Sequence, residues 1–345
     1  MAAGKINEWR EPWLEAAPLA RADLALPRVG LGTAAIGNLF SPVSDAEAGD
    51  MLAAALARGL RYFDTAPLYG HGLAEQRLAG AVRGTRRDQL ILSSKVGRLL
   101  RPGAPLDETQ HFEGEPFYKQ TPPLGPVWDF SYEGVMASVA ESCERIGVER
   151  LDMLLLHDPD DHFAAACGPA YEALKFLRAT GMTRAIGAGM NHTPVLTQLV
   201  QECQLDVALV AGRYTLLDQS ALADLLPACL ARGTSVVVGG AFNSGVLAGP
   251  TAGARYNYVP APAAVRQKAE RLEAVCARYG VALPAAALQF PLAHPAVSSV
   301  LIGCRSAAEL ELDLSWLQVK IPPALWADLR AEGLLPLDAP VPTTS

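Results

Sequence analysis

The feature that most constrains this chain is a recurrence: eight short apolar runs, each of strand length, separated by segments with helical spacing. The runs are Arg28 to Thr33, Leu60 to Asp64, Gln89 to Lys95, Asp152 to His157, Arg184 to Gly187, Val207 to Ala211, Ser235 to Gly239 and Ser298 to Gly303. They are rich in Val, Ile and Leu and do not alternate apolar with polar residues. A strand that reads apolar on both faces must be covered on both faces, which is the condition of a parallel sheet wrapped by helices. The segments Ala46 to Arg58, Tyr132 to Ile146, Tyr171 to Arg178, Thr193 to Cys203 and Ser220 to Arg232 return apolar side chains every three or four residues, as helices do. Their ends carry matching signals. Ser44 and Glu47 have the spacing of a capping box, Asp45 adds a first-turn acid, and Thr193 with Pro194 reads as an N-cap and first turn. Gly59, Gly147, Gly181 and Gly233 stand where a left-handed residue ends a helix and introduces the next strand.

Eight such repeats in 345 residues, with no Ser/Gly-rich or charged linker, predict an α/β protein of one domain, a closed (β/α)8 TIM barrel with its core at about residues 28–318. An open doubly wound sheet is the other arrangement of alternating strands and helices, but no GxGxxG follows an early strand. Two Pro/Gly-rich stretches, Gly97 to Phe130 and Gly249 to Pro262, break the rhythm and are long enough to be functional loops over a site.

Charge and cysteine usage narrow the partners. With 29 Lys+Arg against 36 Asp+Glu, the formal charge of −7 offers no basic field for phosphate backbones or anionic lipid, so neither nucleic acid nor membrane is expected. The six cysteines have no CxxC pair and no His-rich metal spacing, which fits reduced thiols and no bound metal. Lys5, Glu8, Arg10, Glu11 and Glu15 precede any apolar run, unlike a secretory signal, so a cytoplasmic location is expected. Val281 to Val300 is interrupted by Pro284, Pro291, His294 and Pro295 and reads as a buried helix and strand, not a membrane span.

In a barrel of this kind the chemistry sits at the carboxyl ends of the strands, so polar residues that end apolar runs become candidates. Three runs end in Asp64, Lys95 and His157, and Tyr69 follows Asp64 closely enough for its loop to fold the phenol over the barrel mouth. Singly, each has a plain structural reading: a turn cap, a solvated strand end, a loop aromatic, a satisfied histidine. Together they suggest proton transfer coupled to hydride transfer. A phenol titrates at ~10; a neighbouring Lys95 ammonium would draw it down, with Asp64 orienting that ammonium by an ion pair and His157 holding the substrate oxygen by a hydrogen bond or sharing the proton.

The segments YFDTAPLYG, SSKVG and LLLHDPD, taken together, resemble the aldo-keto reductases, a family of (β/α)8 barrels that use NAD or NADP. The resemblance runs from about Val29 to Trp316 and implies that the family's catalytic Asp, Tyr, Lys and His are Asp64, Tyr69, Lys95 and His157. It points to Met190 and Asn191 for the nicotinamide carboxamide. Phe242 is the nearest aromatic where many members stack a tyrosine on the nicotinamide. Gly303, Arg305, Glu309 and Asp313 match the segment that holds the adenosine part. Acidic residues at 309 and 313 stand where Arg or Gln and Asn are frequent, so a 2′-phosphate would meet carboxylates and NAD is expected over NADP.

The phrases HDPDDH, AGRYTLLDQ, GGAFNSGVLAG and RYNYVPAP look like the aldose dehydrogenase branch of that family. The expected reaction is oxidation of an aldose at C1 to the lactone, with pyridoxal to 4-pyridoxolactone as the alternative. Trp128 and Phe130, in the long loop after Lys95, are candidate walls of the substrate pocket, with Trp128 stacking on the sugar. Two rivals of other classes are a barrel lyase using a Lys95 Schiff base and a non-catalytic NAD(P)-binding regulatory subunit.

Overall fold

A computed structural model of the protein describes residues 11–106 and 108–343. The charged stretch containing Lys5, Glu8 and Arg10 lies outside the described residues. Eight strands close into a barrel: β1 (Val29–Gly32), β2 (Tyr62–Asp64), β3 (Ile91–Val96), β4 (Met153–His157), β5 (Ala185–Met190), β6 (Val207–Ala211), β7 (Ser235–Gly239) and β8 (Val297–Ile302). Each pairs in parallel with its neighbours in chain order, and β8 returns to β1 through Val300↔Val29. The expected fold class is the one observed.

The apolar runs serve two layers, which explains why they do not alternate. One set of side chains, with Tyr62, Met153, Leu155, Val207, Leu209, Val237 and Leu301, fills the barrel interior. The other, with Phe63, Leu154, Leu156, Ile186, Val210, Val236 and Val238, faces the surrounding helices. Both sets leave water on folding, and strand positions facing either way are mostly apolar for that reason. Gly187 is demanded by this packing: a Cβ there would lie 1.9 Å from the Val207 carbonyl oxygen on the adjacent strand.

The helices include α1 (Asp45–Ala57), α2 (Leu73–Arg83), α3 (Tyr132–Ile146), α4 (Tyr171–Ala179), α5 (Thr193–Glu202), α6 (Leu225–Arg232), α7 (Ala263–Arg278), α8 (Leu283–Gln289), α9 (Ala307–Leu317) and α10 (Pro323–Ala331). The Ser44–Glu47 capping box forms at the start of α1. Thr193 differs from expectation: it is the first residue of α5, His192 occupies the cap, and neither supplies a capping side chain. The hydroxyl at Thr193's own position has Pro194 next to it, so fixed proline geometry starts the helix instead. The segment read as one helix from Ser220 is a 3-10 turn, Ser220–Leu222, followed by α6. Among the described residues no helix is long and apolar enough to cross a membrane.

The barrel is open to chemistry at one end only. Before β1, an antiparallel hairpin (Ala16–Pro18 with Ala25–Pro27) drives Leu19, Leu24 and Leu26 into the interior cluster and closes the amino ends of the strands. At the carboxyl ends the two irregular stretches are more ordered than their composition suggests. The first contains a ribbon pairing Arg98–Pro102 with Leu124–Trp128, and the second a short pair, Arg255–Tyr256 with Val259–Pro260. Both supply side chains to the same cavity.

Candidate active site

Strand β2 ends in Asp64 and β3 carries Lys95 near its end, so both side chains point inward at the mouth of the barrel. Lys95 Nζ donates to Asp64 Oδ2 at 2.6 Å, to the Thr65 carbonyl at 3.0 Å and to Tyr69 Oη at 3.0 Å. Ser93 Oγ donates to the other carboxylate oxygen of Asp64 at 2.7 Å. The ammonium therefore has three acceptors, which match its three N–H bonds. Tyr69 comes from the tight turn after β2; Gly70, at φ +64°, approaches the Gly37 carbonyl so closely that a Cβ would sit 2.3 Å from its oxygen. That contact fixes where the phenol lies. The His157 ring stands edge-on to Tyr69, centroids 5.9 Å apart at 87°.

Tyr69, Lys95 and His157 line a cavity of about 490 Å³, with Asp64 behind Lys95, and its walls include Arg98, Tyr118, Trp128, Asp158, Met190, Asn191 and Tyr258. The electrostatics differ from the sequence-based expectation at Tyr69. Burial pushes the phenol well above its usual value, Asp64, Tyr258 and Asp158 push it the same way, and among the named influences only Arg98 draws it down. The expectation that Lys95 would dominate fails because its charge is matched by Asp64 at contact distance. His157 goes the other way: burial first, then Arg98 and Lys95, hold its pKa well below the usual value, so the imidazole is neutral at ordinary pH. Its Nδ1 is buried with no protein partner among the described residues.

Asp158, next to His157, has φ +43°, a backbone conformation uncommon for a residue with a side chain. Its carboxylate accepts from Arg98 Nη2 at 2.8 Å, and the Arg98 guanidinium lies 4.0 Å over the Trp128 ring. Sequence reading missed this group, although Arg98 directly follows the SSKVG segment and Asp158 directly follows His157.

Residues 28–331 match the model of the Aldo/keto reductase family. A D-threo-aldose 1-dehydrogenase of Pseudomonas sp is 42% identical over 320 residues, covering 92% of this chain and 97% of that protein. The chain belongs to the aldo-keto reductase family. It is accordingly an enzyme, an oxidoreductase. A pyridoxal 4-dehydrogenase of Microbacterium luteolum is 39% identical over 340 residues, again covering 92% of this chain and 97% of the relative. Among solved structures, an aldo-keto reductase of Bacillus halodurans in its holo form superposes with TM-score 0.70 at 23% identity, over 96% of this chain and 99% of that one.

The remaining expected positions of this aldo-keto reductase fall in two places. Met190 and Asn191, at the end of β5, line the cavity beside the Tyr69 group, and the Asn191 carbonyl accepts from Arg213 Nε at 2.8 Å. Gly303 and Arg305 are exposed at the amino end of α9, which Ser306 caps. Exposed backbone, a guanidinium and a helix N-terminus together suit the phosphate-bearing end of a dinucleotide. Arg305 Nη2 is paired with Glu309 Oε1 at 2.8 Å, and Arg305 N–H donates to Glu309 Oε2 at 2.8 Å. Asp313, expected beside Glu309 on the cofactor, is buried and accepts the Cys304 thiol at 3.2 Å; burial pushes its pKa up to about 7. Phe242 meets Trp316 edge-on at 5.9 Å and is not among the residues lining the cavity. Trp128 lines it, whereas Phe130 is buried behind Trp128, with ring centroids 6.0 Å apart.

Proposed function

We propose that this aldo-keto reductase oxidises a cyclic hemiacetal, an aldose at its C1 position, to the lactone, with NAD as the preferred cofactor. The observation that carries the reading is the buried chain Asp64–Lys95–Tyr69, with 2.6 and 3.0 Å links, at the floor of a cavity large enough for a sugar ring. The 42% identity to an aldose 1-dehydrogenase supports the substrate class. Both arguments concern the reacting group, a hemiacetal C–H beside an ionisable hydroxyl.

The bound nicotinamide supplies the hydride acceptor. Everything else falls to the chain. The phenolate form of Tyr69 accepts the hydroxyl proton at Oη as the carbonyl forms and becomes the neutral phenol, and Lys95 Nζ, donating to that oxygen, stabilises the phenolate before the transfer. Asp64 and the Thr65 carbonyl keep the ammonium from turning away. Neutral His157 presents a ring nitrogen to the substrate oxygen without adding a second full charge. Met190 and Asn191 would hold the carboxamide end of the cofactor, and Gly303 with Arg305 the adenosine end. Glu309 favours NAD, because a 2′-phosphate would have to displace it from Arg305 against like charge.

Pyridoxal is the second reading. A relative 39% identical is a pyridoxal 4-dehydrogenase, and the hemiacetal of pyridoxal offers the same reacting C–H. We place the enzyme in the cytoplasm as one barrel domain acting on a small molecule. The test is a rate panel of L-fucose, D-arabinose and pyridoxal, each with NAD and NADP, followed by lactone identification. An aldose lactone with reduced NAD is expected; a clear NADP preference would remove the cofactor assignment, and no turnover of any pair would overturn the reading.

A further inference from the structure

Arg98 is a buried cation that the proposed chemistry leaves unused. It lies just beyond β3, is 3% exposed, and lines the cavity that holds Tyr69 and His157. Its environment fixes the guanidinium tightly. Nη2 donates to Asp158 Oδ2 at 2.8 Å, the Trp128 ring supports the plane at 4.0 Å, and Trp128 is itself layered against Phe130 and His162. Yet Nε and Nη1 are buried with no hydrogen-bond partner among the described residues. Leaving such donors unmade is costly, more so on a charged group. A guanidinium held rigid on one side, with two N–H groups unmet and its side chain in the wall of a ligand cavity, is suited to planar recognition of oxygen atoms.

We propose that Arg98 binds the substrate through Nε and Nη1, donating to a ring hydroxyl or phenoxide oxygen other than the one oxidised, and that Trp128 and Asp158 serve to aim it. This deepens the proposed function and rests on it. The shared chemistry is an oxygen-bearing ring: a polyhydroxylated aldose and pyridoxal both have it. Trp128 then contacts the guanidinium in place of stacking on the sugar. The strained backbone at Asp158 has a role in this arrangement, since φ +43° places a carboxylate against Arg98 directly beside His157.

The test compares D-arabinose and pyridoxal with 2-hydroxytetrahydropyran, a cyclic hemiacetal that has no ring hydroxyl besides the reacting one. The variant is Arg98→Lys, which keeps a cation for Asp158 but loses the fork of donors. Expected is a rise in KM of roughly 10- to 100-fold for the preferred oxygen-rich substrate, with kcat within about threefold and the 2-hydroxytetrahydropyran rate unchanged. A loss confined to D-arabinose or to pyridoxal identifies which oxygen is held. Equal losses on all three probes, or no change on any, would overturn the assignment. Arg98→Met paired with Asp158→Asn removes both charges together, so folding failure of a half-broken ion pair is avoided; it must show the same selective loss. Wild-type protein inactive on all three probes would instead reject the proposed function, and this inference with it.

Discussion

At Tyr69 burial and most of the neighbouring charge act in the same direction: the phenol holds its proton above the usual range although an ammonium sits 3.0 Å away. A group in that condition is a proton carrier and contributes little to binding the cofactor. Tyr69→Phe is therefore expected to lower turnover by at least 10²- to 10⁴-fold while NAD binding, followed by quenching of protein fluorescence, stays near wild type; retained turnover would remove the role. Asp313 gives a prediction of a different kind. Its folded pKa of about 7 lies above the ordinary carboxyl value of 3.8, so the fold binds that proton more tightly than the unfolded chain. The resulting stabilisation is fully present below about pH 4 and is lost as pH rises through 7. At one unit per 1.36 kcal/mol the difference is on the order of 4 kcal/mol. Asp313→Asn should leave Tm little changed near pH 4 and raise it increasingly towards pH 8. A gap between variant and wild type that ignores pH would count against this account.

At the scale of elements, β4, β6, β7 and α3 end close to where apolar runs and helical spacing place them, because these signals are local. Gly59, Gly147, Gly181 and Gly233 all adopt positive φ, as a chain leaving a helix for a strand requires. Local signals were insufficient where the chain folds back on itself. The ribbon joining Arg98–Pro102 to Leu124–Trp128 spans a Pro- and Gly-rich stretch that reads as loop. Its pairing is decided by residues far apart in sequence, with Phe130 packed so closely on Gly97 that a Cβ would lie 2.1 Å from the ring. Asp313 is a related case: position along α9 does not reveal which face a neighbouring element covers, and the fold buries this residue against Cys304.

For the whole molecule, the amino-terminal hairpin decides that the barrel has one open end. Leu26 is fully buried among interior side chains from several strands, so its contacts tie the first described residues to the entire barrel. Leu26→Ala should cost about 2–5 kcal/mol in urea unfolding, the usual range for a deleted core leucine, with KM for the substrate unaltered because the site lies at the opposite end. A loss below about 1 kcal/mol would mean that the hairpin covers the barrel without supporting it.

By itself the sequence determined the number and order of the barrel strands, their alternation with helices, the closed architecture, and three strand-end groups with a tyrosine close behind. Hydrophobic period, caps and strand-terminal polarity are written within a few residues of one another, and β–α order leaves few ways to close. Only the tertiary structure decided what those groups experience. Arg98 and Asp158 are 60 positions apart, Asp64 and Lys95 are 31 apart, and Tyr258 arrives from another loop altogether. Burial and charge at a point depend on everything brought to it through space, and chain distance carries almost none of that information.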